Sequence, residues 1–93
     1  MAQSYTPIIL PEDTMETRIA AISIIVTDAE SVEQINSLLH ECREFIIGRM
    51  GIPYHRKQVS IISVAIDAPM NVINSLTGKL GRLSGVHVKA AFV

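Results

Sequence analysis

The sequence has no tryptophan, only two tyrosines and two phenylalanines, and a single cysteine, Cys42. Aromatics make up 4% of the 93 residues while hydrophobic residues reach 48%, so the core has to be aliphatic, drawn from Ile, Val and Leu. One cysteine excludes an internal disulfide and fits a reducing compartment. No apolar run approaches the roughly 20 residues of a membrane helix. The first residues lack a basic stretch followed by a long apolar one, so no signal peptide is expected and the protein reads as cytoplasmic. There is no basic excess either: 8 Lys and Arg against 9 Asp and Glu leave a net charge of −1. Proteins that replace the counterions around phosphate carry such an excess, which argues against direct DNA or RNA binding by this chain.

What is present fits one small domain. A chain of this length buries only roughly 60–65% of the surface its unfolded form exposes, so a surplus of apolar residues hints at burial against a partner copy. Residues 1–17 read as a flexible N-terminal tail, with Pro7 and Pro11 bracketing Ile8, Ile9 and Leu10. The alternative is that this apolar triplet docks on a sheet edge or a neighbouring subunit. Residues 18–93 form the domain.

A first strand is expected over Arg18 to Thr27, apolar on both faces: Ile22, Ile24 and Val26 on one, Ile19, Ala21 and Ile25 on the other. Ser31 and Gln34 have the spacing of a helix capping box. Val32, Ile35, Leu38, Leu39 and Cys42 then recur at helical spacing. A second strand runs from about Phe45 to Ile52, interrupted by Gly48 and Gly51, which suit a bulge near an edge. Val59 to Ile66 is the third strand, again apolar on both faces. Asp67, Ala68 and Pro69 open the second helix, with the proline at its first position. That helix has an apolar stripe of Val72, Ile73, Leu76, Leu80 and Leu83. Gly78 within it costs about 1 kcal/mol relative to alanine, a cost explained if the helix approaches another backbone closely. Gly85 supplies a turn, and Val86 to Val93 is the last strand.

The order β-α-β-β-α-β, with an internal echo between Asp28-Ala29…Ile35-Asn36-Ser37-Leu38 and Asp67-Ala68…Ile73-Asn74-Ser75-Leu76, points to an α+β, ferredoxin-like βαββαβ fold. Its first and third strands are central, and they are the most apolar here. Both helices cover one face of the sheet, so the other needs covering. The simplest cover is a second copy, giving a homo-oligomer (dimer or tetramer) through the sheet; the competing cover is the N-terminal tail folded over that face.

Few groups suggest chemistry. Tyr54-His55-Arg56-Lys57, in the connection between the second and third strands, is the only basic cluster and could hold an anion or small ligand. His40, His55 and His87 lack close ligand spacing, so no metal is assigned. Cys42 lies on an apolar helical position and reads as a small buried hydrophobe. Thr77-Gly78-Lys79-Leu80-Gly81 lacks the earlier glycine and the hydroxyl residue of a phosphate loop. Asp28 and Asp67 sit at strand-to-helix turns, where capping is expected. No nucleophile, base and acid occur as a set, so no enzyme activity is expected. A catalytic role for the Arg49, Tyr54 and His55 region is the remaining enzymatic option.

Ile46-Ile47-Gly48-Arg49-Met50-Gly51-Ile52-Pro53-Tyr54, with Ile19 to Val26, Ser60 to Pro69 and Leu80 to Val88 around it, resembles a small bacterial family of iron-only hydrogenase system regulators. The resemblance covers about residues 18 to 93. It implies an ACT-like fold, similar to the C-terminal effector domain of nickel-responsive repressors, which assembles through its sheets. It implies a regulatory role, as a transcriptional regulator without its own DNA-binding domain. A transcriptional effect would need a DNA-binding protein partner, and a small-molecule effector is an expectation whose identity the resemblance does not give. The nickel ligands of those repressors are a helix-end His, a His-x-His and a Cys. His40 falls at the first place, but Gly51, Pro53 and Val59 fall at or near the others. The repressors also carry an upstream ribbon-helix-helix domain, and residues 1–17 have no helical periodicity to supply one. ACT domains proper often use a glycine in the first strand-to-helix turn, here Asp28-Ala29-Glu30-Ser31. The ligand-binding candidates are therefore Arg49, Tyr54, His55 and His40. The leading expectation is an oligomeric regulatory or effector-sensing module. Its alternatives are a structural interaction protein that senses nothing and an amino-acid-binding sensor of the ACT type.

Overall fold

A computed structural model describes residues 16–93. The expected tail, and with it the Ile8 to Leu10 alternative, lies almost wholly outside the described residues. β1 (Thr17–Val26) leads through a single 3-10 turn, Ala29–Ser31, into α1 (Val32–Glu41). A second 3-10 turn, Arg43–Phe45, precedes β2 (Ile46–Tyr54) and β3 (Val59–Pro69), which form a hairpin. α2 (Met70–Gly81) and β4 (Val86–Phe92) complete the chain. The sheet is antiparallel with strand order β2-β3-β1-β4, so the two most apolar strands are central. This is the ferredoxin-like α+β arrangement that the element order implies.

Strand alternation sets the core. Ala20, Ile22, Ile24 and Val26 of β1 face the helices together with Ile62, Val64, Ile66 and Ala68 of β3. Ile35 and Leu39 of α1 and Ile73, Leu76 and Leu80 of α2 close over them. Each residue is on the face its parity predicts.

Four local expectations need correction. Ser31 does precede α1, but its hydroxyl makes no capping bond. It is 2% exposed and donates instead to the Ser84 carbonyl at 2.6 Å, tying the start of α1 to the turn before β4. Asp67 does not cap α2. The inward alternation continues through Ala68, so β3 runs on to Pro69, and Asp67 stands on the open face opposite Ile19. Pro69 is the residue before α2 rather than its first. Gly78 meets no other backbone among the described residues: a Cβ there would find Arg82 Nη1 at 3.8 Å, an ordinary contact. Asp28, by contrast, does cap, accepting from the Glu30 N–H at 3.0 Å. Strand limits also shift slightly, β1 beginning at Thr17 and β2 extending to Tyr54.

Candidate functional site

The four candidate ligand residues divide between two grooves. Arg49 lies on the helix-facing side of β2, opposite buried Val64. Tyr54, five residues later, is opposite Val59 on the other side, because strand side chains alternate. Arg49 and His40 line one pocket with Asn36, Leu39, Arg43 and Ile46. Tyr54 and His55 line another at the hairpin end of the sheet, beside Thr27, Ala29, Pro53 and Gln58. The two grooves share no lining residue, so Arg49, Tyr54 and His55 do not form a common site.

The first pocket has a simple origin. Asn36, His40 and Arg43 are spaced i, i+4 and i+7 along and just beyond α1, which places them on one face. Arg49 comes to meet them from the edge strand, and its Nη2 donates to Asn36 Oδ1 at 2.8 Å. Arg43 Nη1 donates to the His40 carbonyl at 3.0 Å, at the C-terminal end of the helix. There an arginine both satisfies a carbonyl and complements the helix dipole. Buried Leu39 and half-buried Ile46 supply the apolar part of the lining. Reasoning from the sequence misses Asn36 and Arg43, although their helical spacing to His40 is a signal that points to them.

The second feature is the face of the sheet away from the helices. Strand register resolves it into rows. Ile52, Ile61 and Ile25 stand side by side across β2, β3 and β1, with His87 of β4 next to them. The next row is Met50, Ser63, Ser23 and Lys89, and the one after is Gly48, Ala65, Ala21 and Ala91. Ile19 lies beyond, paired with Asp67. Ile19 is 51%, Ile25 43% and Ile61 38% exposed. The open face therefore consists of an isoleucine ridge beside a trough floored by Ser63, Ser23, Ala65 and Ala21 on the central strands, with Met50 and Lys89 standing at its two edges, not a uniform layer of large aliphatics. A β-bulge between Ile46 and Gly48 sets the register of β2 and hence which of its residues join the rows.

Neither feature holds a metal constellation. No three His, Cys, Asp or Glu side chains converge among the described residues. Cys42 is half-buried, and burial, helped by Glu41 and Glu44 and opposed by Lys79, pushes its thiol up from its ordinary range. That suits a packing residue rather than a nucleophile.

Residues 18–90 match the TM1266-like family, described as "Iron-only hydrogenase system regulator, putative". The chain belongs to the TM1266-like family. The solved structure of the uncharacterized protein TM1266 from Thermotoga maritima is 34% identical, with a TM-score of 0.80 over 84% of this chain and 99% of that one. No curated protein matches the chain. The TM1266-like description supports a regulatory role in general. No helix among the described residues is long and apolar enough to cross a membrane.

Proposed function

We propose that this TM1266-like domain is a self-associating regulatory module that senses a small-molecule effector and acts in the cytoplasm through a DNA-binding protein partner. The observation that carries self-association is the relief of the open sheet face. The Ile52, Ile61, Ile25 ridge lies about 7 Å, one side-chain repeat along a strand, from the first row of its own trough. A two-fold axis between two such faces lays the ridge of each copy in the trough of the other, burying both. A symmetric pair is also the commonest way to remove an apolar patch from water. Polar His87, Lys89 and Asp67 at the margins suit the rim of such an interface. Two pairs assembling further would make a tetramer.

The test is sedimentation equilibrium of the whole chain at micromolar concentration. The unaltered protein should be a dimer or larger. Ile61→Asp and Ile25→Lys should each give a folded monomer, with circular dichroism checking the fold. A wild-type monomer would rule out assembly through this face. A gel shift at low and moderate salt should show no specific DNA complex with this chain alone, since it has no basic excess. A purely structural interaction protein is the competing reading. Thermal-shift screening against amino acids, metals and nucleotides separates the two, because only a sensing domain is stabilised by a ligand.

A further inference from the structure

We infer that the groove between α1 and β2 binds the oxyanion group, phosphate or carboxylate, of a small organic anion. This rests on the effector-sensing part of the reading above and not on self-association. It assigns that effector a place and a chemical class.

Two arginines reach the groove from different elements, Arg43 after α1 and Arg49 from β2, with His40 and Asn36 beside them. Among the described residues, no acidic side chain lines it. The acids of α1 are turned elsewhere. Glu33 lines the groove between the helices that also holds Lys79 and Arg82, and Glu41 lines a neighbouring one with Lys79. Glu44, exposed on the 3-10 turn, is not part of the pocket lining either. The helix thus sorts its charges, placing acids toward the cations of α2 and leaving two guanidinium groups together on the β2 side.

Both guanidiniums are held in place by neutral acceptors. Arg49 is tethered through Asn36 Oδ1 at 2.8 Å and Arg43 through the His40 carbonyl at 3.0 Å. A guanidinium has five N–H donors, and each tether occupies one. The remaining donors suit the two oxygens of a carboxylate or the three of a phosphate, which arginine grips through parallel hydrogen bonds. The Asn36 amide nitrogen and the His40 imidazole add polar contacts at the same rim. Half-buried Ile46 offers an apolar surface for the body of the molecule, above a floor closed by buried Leu39. The groove, about 370 Å³, has room for a small molecule, as have other clefts of the surface; its two arginines without an acid are what set it apart. A lone inorganic ion would leave that apolar part unfilled, which is why the ligand is assigned as organic.

The test uses the full chain at constant ionic strength. Isothermal titration and amide chemical shifts are followed with inorganic phosphate, pyrophosphate, citrate and a phosphorylated sugar, with chloride as the reference. Saturable binding of at least one of the organic anions is expected, with shifts centred on residues 36–49. The phosphate-bearing and carboxylate-bearing probes tell which oxyanion is preferred. Arg49→Ala and Arg43→Ala should each weaken that binding about tenfold or more, the usual loss of a charged hydrogen bond. Arg56→Ala with Lys57→Ala, in the separate basic hairpin, should leave it unchanged. Both arginines are exposed, so the variants should remain folded. The proposal is overturned if no organic anion saturates, or if binding survives both Arg43→Ala and Arg49→Ala. It is also overturned if binding is lost with the hairpin pair instead, or if only a nucleic acid or a phosphopeptide binds. Sedimentation of the same samples keeps this outcome separate from self-association.

Discussion

Gly85 is the glycine whose replacement the structure tolerates least. Its φ is +67°, in the left-handed region, and a Cβ would lie 2.7 Å from Asp28 Cβ and 2.8 Å from both Asp28 N and Thr27 Oγ1. The close approach exists because the Gly85 carbonyl accepts from the Thr27 N–H at 2.7 Å, joining the end of β1 to the start of β4. Gly85→Ala should therefore destabilise the domain by about 2 kcal/mol or more in urea unfolding, combining the left-handed cost with a backbone clash. Asp28, on the other side of that contact, is held below the ordinary carboxylate range by hydrogen bonds from the Ser84 side chain and the Glu30 N–H, against some desolvation. A lowered folded value means that the ionised form stabilises the fold. That contribution is complete above the ordinary carboxylate value and is lost as pH falls through the folded one. Asp28→Asn should accordingly flatten the acid limb of the stability–pH curve, and an unchanged limb would remove the carboxylate from this role. At Cys42 the raised thiol predicts alkylation by iodoacetamide at neutral pH slower than that of an unstructured peptide thiol, accelerating as pH rises.

At the scale of elements, α2 carries a cost that it does not need. Gly78 lies inside the helix with room for a methyl group, the nearest atom being the far end of a flexible arginine. Gly78→Ala should raise stability by about 1 kcal/mol, read as a higher urea midpoint with unchanged slope. An unaltered midpoint would mean that the glycine answers to a contact outside a single copy. The start of α1 is secured differently from its sequence signature. A serine followed three residues later by glutamine suggests reciprocal capping, but burial at the helix–turn junction leaves the Ser31 hydroxyl within reach of the Ser84 carbonyl. Ser31→Ala should cost about 1 kcal/mol through that lost bond. A tertiary acceptor competes with a local one and wins, which no reading of spacing alone foresees. β3 shows the same effect in reverse. Ala68 is buried at its end, so burial extends the strand past the point where Asp67 and Pro69 suggest a helix.

For the whole molecule, the open sheet face decides how the domain behaves in solution. If two copies bury it, unfolding is linked to dissociation, and the thermal midpoint should rise with protein concentration. Ile61→Asp should abolish that dependence, and a midpoint independent of concentration in the unaltered protein would argue against a linked dimer. The proposed assembly face and the proposed anion groove lie on opposite sides of β2, since Ile52 and Met50 face the open side and Arg49 the helix side. A ligand that draws α1 and β2 together would act on the same edge strand that contributes to the ridge.

Much of this is settled by the order of residues along the chain. A two-residue period in β1 and β3, a helical period at Ile35 and Leu39 and at Ile73, Leu76 and Leu80, and glycine before β4 determine the elements, their sequence and the core. Those patterns are local and repeat within a few residues. What only the tertiary structure decided involves partners far apart in the chain: the isoleucine ridge, the meeting of Arg49 with Asn36, and the bond from Ser31 to Ser84. The register of β2 depends on one unpaired residue at its bulge. A single step there moves a strand's side chains to the opposite face. Arg49 and Tyr54 take opposite faces because five residues of strand separate them, and the bulge decides which face each one takes. Gly48 and Gly51 mark a bulge along the chain, but only the pairing of β2 with β3 shows that it stands between Ile46 and Gly48. Arg49 therefore turns to α1 and His40, while Tyr54 and His55 line a separate groove.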